Sequence, residues 1–96
     1  MKILALEIER PGATGDRFQP YLKAEAARVW EFYLGNLIRE VYFHADRHTA
    51  VLVLECESAE LARQILARLP LVEQGLIDFE VIPLAPYPGF SRLFAE

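Results

Sequence analysis

The chain has a single cysteine, Cys56, among 96 residues. That excludes an internal disulfide and a thiolate metal framework. No apolar run approaches the ~18 residues that a membrane-spanning helix requires. Basic residues are few and scattered: ten Lys and Arg stand against fourteen Asp and Glu, for a net charge of −4. Phosphate backbones are bound by clustered Lys and Arg, so nucleic acid is not an expected partner. Gly12 and Gly15 lack the spacing and the strand-to-helix setting of a phosphate loop. No serine nucleophile elbow occurs. Cys56 lies between Glu55 and Glu57, and neighbouring carboxylates disfavour a thiolate nucleophile. The first residues turn acidic at Glu7 and Glu9, too soon for a signal peptide. A cytoplasmic protein is expected.

Apolar residues are abundant instead. A chain of this length makes one domain and buries only about two-thirds of its unfolded surface. With 53% hydrophobic residues it has apolar surface to spare, and association with a second copy is the simplest cover.

The period of the apolar positions sets the elements. Residues 2–9 alternate as a strand, with Leu4, Leu6 and Ile8 on one face and Ile3, Ala5, Glu7 and Glu9 on the other. Residues 11–16 read as a loop. A helix is expected from Phe18 or Gln19 to Leu34, with Pro20 in its first turn and Gly35-Asn36 at its end. Residues 37–44 and 49–56 read as two strands of an antiparallel hairpin. Ser58 caps a second helix over 59–69, stopped by Pro70. Residues 76–84 read as the fourth strand. This β-α-β-β-α-β order is the ferredoxin-like split motif: an α+β domain with a four-stranded antiparallel sheet and two helices on one face. The domain is expected over 1–85. The tail 86–96, rich in proline and aromatics, is expected to pack on a partner subunit or over a pocket mouth.

Glu25 is the first candidate for chemistry. The first helix has an apolar stripe of Phe18, Tyr21, Leu22, Ala26, Val29, Phe32 and Tyr33. Glu25 falls roughly 40° from the centre of that stripe by helical-wheel arithmetic. A carboxylate aimed at a core is costly unless paired or protonated, and burial suits it to act as a base near neutral pH. The structural alternative is an ion pair with Arg39 or a side chain that escapes at the stripe's edge. Tyr21, Trp30, Tyr33 and Tyr42 suit the walls of a pocket for a small planar ligand, and equally a core or an interface. His44, Asp46 and His48 form a His-x-Asp-x-His pattern at the hairpin turn. Three converging ligands would be needed for a metal; no native metal site is expected, and His44 is retained as an acid or base at the pocket mouth.

Leu22-Lys23-Ala24-Glu25, Arg39, Leu69-Pro70-Leu71 and Asp78-Phe79-Glu80-Val81 together resemble the muconolactone isomerase family of the dimeric α+β-barrel superfamily. The resemblance spans most of the chain. It implies a homodimer, and an isomerase that shifts a proton on an unsaturated lactone with neither metal nor organic cofactor. It implies that Glu25 transfers the proton and that Lys23 and Arg39 bind carboxylate or lactone oxygens. The second strand departs from the family, which has a His and a second Arg where Glu40 and Phe43 stand here. The stretch between Leu71 and Asp78 is also longer.

Three function classes follow: a cofactor-independent isomerase or lyase, a non-catalytic small-ligand binder, and an assembly module. The charge state of Glu25 separates the first from the others, because a base for abstracting an α-proton ionises above the ordinary glutamate value of ~4.3.

Overall fold

Two kinds of apolar periodicity, alternating in the strands and three-to-four in the helices, meet in one core. The computed structural model describes residues 1–95. In chain order its elements are β1 (Lys2–Glu9), α1 (Gly15–Phe18), a 3-10 turn (Gln19–Tyr21), α2 (Leu22–Leu34), β2 (Ile38–Phe43), β3 (Ala50–Glu55), α3 (Ala59–Leu66), α4 (Pro70–Glu73) and β4 (Ile77–Pro83). The sheet order is β2-β3-β1-β4, with every neighbouring pair antiparallel. This is the ferredoxin-like α+β fold that the element order predicts.

Ile3 and Ala5 of β1, Ile38 of β2, and Leu52 and Leu54 of β3 point inward. They pack against Phe32 of α2, Ala62, Ile65 and Leu66 of α3, and Leu69. A second cluster, Leu71, Leu76 and Ile77, closes one end. The opposite alternation gives the other face. There Leu4, Leu6, Val51, Val53 and Ile82 are half-buried in the single chain, and Ile8 is exposed.

The helices differ from the expected ones at their prolines. The first is not continuous. Pro20 has no N–H for the helical ladder, so the chain makes the short α1 and the 3-10 turn before α2 begins at Leu22. The second ends at Leu66, not Leu69, and Pro70 then starts α4 at a first-turn position. Proline is pre-organised for that place, and it keeps Leu69 extended at φ −72°, ψ 133°. Ser58 does cap α3: its Oγ accepts the Leu61 N–H at 3.1 Å.

The end of α2 directs the next strand. Leu37 N–H donates to the Phe32 carbonyl and Asn36 N–H to that of Tyr33, a Schellman closure with Asn36 in the left-handed region at φ 64°. β2 then carries a bulge, because Ile38 pairs with Leu54 but Glu40 with Val53. Arg39 is the extra residue, and a bulge re-aims such a side chain.

The expected tail, residues 86–96, includes Glu96, which lies outside the described residues. Gly89–Phe94 form a 3-10 segment. The radius of gyration is 15.8 Å and the long axis 60 Å. A compact chain of this length would give about 12.5 Å, and Tyr87, Phe90, Leu93 and Phe94 of the tail are exposed in the single chain.

Candidate functional site

α2 lies close to the sheet at its C-terminal end, where Phe32 is buried. Toward its N-terminal end Glu25 and Ala26 on the helix and Glu7 and Ala50 on the sheet line an opening, with Leu22, Leu52 and Phe79 among their neighbours on the lining. A cleft of about 1030 Å³ opens there between α2, β1 and β2, with α1 and Leu71 at its margin. That is at the upper end of the ordinary range for small-molecule sites.

Glu25 reaches the cleft from the inner side of α2. Its Oε1 accepts the backbone N–H of Leu71 at 2.9 Å. Burial pushes its pKa above the ordinary carboxylate value; the Leu71 hydrogen bond opposes this, and the charges of Glu7 and Glu73 add to the rise. No ion pair holds it to Arg39, whose Nε instead donates to the Asn36 carbonyl at 2.9 Å. Arg39 lines the cleft from its bulge.

Glu7 stands across from α2 on β1, in register with Phe79 of β4. Its Oε1 accepts the Ala50 N–H at 3.0 Å. Burial raises its pKa, the Ala50 hydrogen bond lowers it, and the charge of Glu9 raises it further. The sequence reading did not single out Glu7. Its signal was present in the alternation of β1, where a charged side chain shares a face with Ile3 and Ala5.

Among the aromatics, Trp30 and Tyr33 line the cleft and stack on each other, with ring centroids 5.7 Å apart and planes at 20°. Tyr42 borders it at the edge of β2. By register its side chain falls on the other face with Glu40, and its hydroxyl donates to Glu40 Oε1 at 2.6 Å. That bond, together with the charge of Glu40, raises the Tyr42 pKa. Tyr21 does not line the cleft. It borders a shallow depression with Arg17, Pro20, Gln74 and Leu76 and packs on the Leu71–Leu76–Ile77 cluster.

Lys23 is exposed on α2 and is not part of the cleft. One step along a helix turns a side chain by about 100°, so Leu22 and Glu25 face the sheet side while Lys23 does not. His44 also lies outside; its Nδ1 accepts the Asp46 N–H at 3.1 Å within the hairpin turn. His48 does line the cleft, with its ring stacked on Phe43 at 5.3 Å. Among the described residues, no three His, Cys, Asp or Glu side chains converge as metal ligands. No described helix is long and apolar enough to cross a membrane.

No protein-family model matches the chain, and no curated protein matches it in sequence. Among solved structures it is similar to 5-chloro-2-hydroxyhydroquinone dehydrochlorinase from Burkholderia phenoliruptrix AC1100, in complex with 2,5-dihydroxybenzoquinone. The TM-score is 0.69 at 17% sequence identity, over 93% of this chain and 98% of that one. The likeness shows the fold.

Proposed function

We propose that the chain is a cofactor-independent isomerase or lyase that shifts a proton on a small oxygenated molecule such as a lactone. The observation that carries this is Glu25: half-buried, fixed through one oxygen to Leu71 and facing the cleft. Its second oxygen takes the proton α to a carbonyl. The C–H electron pair moves into a C=C bond, and the carbonyl π pair moves onto oxygen. Arg39 stabilises that enolate oxygen from the β2 bulge. For isomerisation the substrate is β,γ-unsaturated: the enolate oxygen re-forms the C=O, the new C=C pair shifts to the α,β bond, and the β,γ π pair takes the proton back from Glu25 at the γ-carbon. For elimination, the enolate pair expels a leaving group from the β-carbon, and solvent takes the proton from Glu25. The neighbour's name, a dehydrochlorinase, is consistent with the second course on the same scaffold.

The working unit in this reading is a cytoplasmic homodimer. The half-buried apolar face of the sheet, centred on Leu6 and Val53, packs on the same face of a second copy.

The test uses α-angelica lactone, a small unsaturated lactone, followed by NMR in deuterated buffer. Migration of the double bond with deuterium uptake above the buffer rate is expected, and its loss in Glu25→Gln. Migration at the buffer rate, or an undiminished rate in the variant, removes the proposed role. Saturable binding without turnover leaves the non-catalytic ligand binder.

A further inference from the structure

Glu7 and Glu25 enter one cleft from opposite walls, and each has one oxygen committed to the main chain. Glu7 Oε1 holds Ala50 N–H, and Glu25 Oε1 holds Leu71 N–H. Among the described residues, no other protein donor bonds either carboxylate. No buried side-chain nitrogen or oxygen lacks a partner there, so the second oxygens are not sealed in protein. A carboxylate pinned by one oxygen does not swing, and when ionised it only accepts.

The charge around them is mostly negative. Glu9 and Glu40 bring the carboxylates on the lining to four, that of Glu40 already accepting the Tyr42 hydroxyl. The described ion pairs involve neither Glu7 nor Glu25. Arg39 is the cationic side chain on the lining, and its Nε is given to Asn36. An anion entering this apolar cleft meets like charge with weak screening. A hydroxyl donor meets two fixed acceptors. The stacked Trp30–Tyr33 pair offers a flat aromatic surface in the same cleft.

We propose that the cleft selects an uncharged planar ring bearing two hydroxyl groups, donated to Glu7 and Glu25, and rejects the same ring once it carries a carboxylate. This rests on the reading of the cleft as a small-molecule site, and is separate from the role of Glu25 as a base. It makes Glu7 a specificity-determining residue.

Trp30 is the sole tryptophan, so the labelled protein has one indole N–H resonance to follow. Hydroquinone and 2,5-dihydroxybenzoate, the same ring with and without a carboxylate, are titrated at neutral pH without oxygen. Hydroquinone should shift the resonance saturably and bind at least tenfold more tightly. Glu7→Gln, whose folding is checked by its amide spectrum, should narrow that ratio. Glu9→Gln, at an exposed position, should narrow it independently. A preference below tenfold, a ratio unchanged in Glu7→Gln, or no saturable hydroquinone shift overturns the proposal. The lactone assay with Glu25→Gln is independent of these outcomes, so either idea can fail while the other stands.

Discussion

Glu25 in α2 accepts the backbone N–H of Leu71 at 2.9 Å, across 46 residues of chain. The bond answers a local deficit. Pro70 has no N–H, and the N–H groups of Val72 and Glu73 both go to the Leu69 carbonyl. Leu71 is the remaining donor at the start of α4, and Leu69 gives no side-chain cap. Glu25 therefore caps one helix from another while its second oxygen stays available to the cleft. One residue serves the fold and, in the proposed reaction, the chemistry.

Two substitutions separate those roles. Glu25→Ala removes the cap and should cost about 1 kcal/mol of stability. Glu25→Gln keeps an oxygen for Leu71 and removes a charge that burial disfavours, so stability at pH 7 should not fall. It cannot take a proton, so turnover of the lactone should fall at least ~100-fold. Urea unfolding and the NMR assay give the two numbers. A Glu25→Ala protein with full activity would leave only the cap.

The architecture was legible because each element declares its own period. β1 alternates cleanly, Ser58 marks the start of α3, and Gly35-Asn36 marks the end of α2. The boundaries that moved lie at prolines, where one residue both ends a ladder and begins a turn. Pro70 reads as a stop, and only the fold shows α4 starting on it. In the site, the inward position of Glu25 follows from helix arithmetic. Glu7 carries the same signal in β1, but a two-residue period assigns a face without saying which face is covered. Lys23 belongs to the motif through its neighbours, although its direction on α2 points it away. The role of Arg39 depends on a bulge, which a change of pairing register creates and no local residue pattern announces.

Acid should stabilise this protein through two groups. Glu7 and Glu25 have folded pKa values raised above 4.5, chiefly by burial. The folded state then binds protons more readily than the unfolded chain. Their contribution is fully present below the unfolded value and is lost as pH rises through the raised folded values. Stability should therefore fall between about pH 4.5 and those higher values. The Glu7→Gln/Glu25→Gln double variant should flatten this part of the profile and gain stability at pH 7. Thermal melts across pH 4 to 8 test the sign. A double variant with the same slope as the parent would show that other groups govern it.

Trp30 is 58% exposed despite its size, so its removal leaves no core cavity. Trp30→Ala should shift stability by less than about 1 kcal/mol, well short of the 3–5 kcal/mol of a core aromatic truncation. Hydroquinone affinity should nevertheless fall several-fold, since an aromatic pair contributes about 0.5–1.5 kcal/mol beyond area. Calorimetric titration measures the loss. Unchanged affinity would move the ring away from the Trp30–Tyr33 wall.

The sheet face predicts assembly. Val53 is half-buried and lies between neighbours on two strands, in register with Leu4 of β1 and Glu40 of β2. Val53→Glu places a charge at the centre of the proposed contact, where an unpaired carboxylate is heavily penalised. Sedimentation should show the parent as a dimer and the variant as a folded monomer. A dimeric variant of equal affinity would place the contact elsewhere.

The tail makes the last prediction. Tyr87, Phe90, Leu93 and Phe94 are 67%, 68%, 75% and 84% exposed in the single chain. The segment is nevertheless organised. Tyr87 and Phe90 pack edge to face at 5.1 Å, and a Cβ at Gly89 would overlap the Tyr87 ring. A shaped apolar tail without cover in its own chain suits a groove on a second copy. Burying one large aromatic contributes about 1.5–3 kcal/mol, enough for two or three to offset the entropy of ordering a short segment. Deleting residues 86–96 should weaken dimerisation at least tenfold, about 1.4 kcal/mol, while the core stays folded. Gly89→Ala, which forces Tyr87 from its place, should weaken it in the same direction. Sedimentation equilibrium measures both, and hydrogen exchange should show the tail amides protected at dimer concentrations. A truncated protein that dimerises with unchanged affinity, together with unprotected amides in the intact one, would show that the tail contributes nothing to assembly.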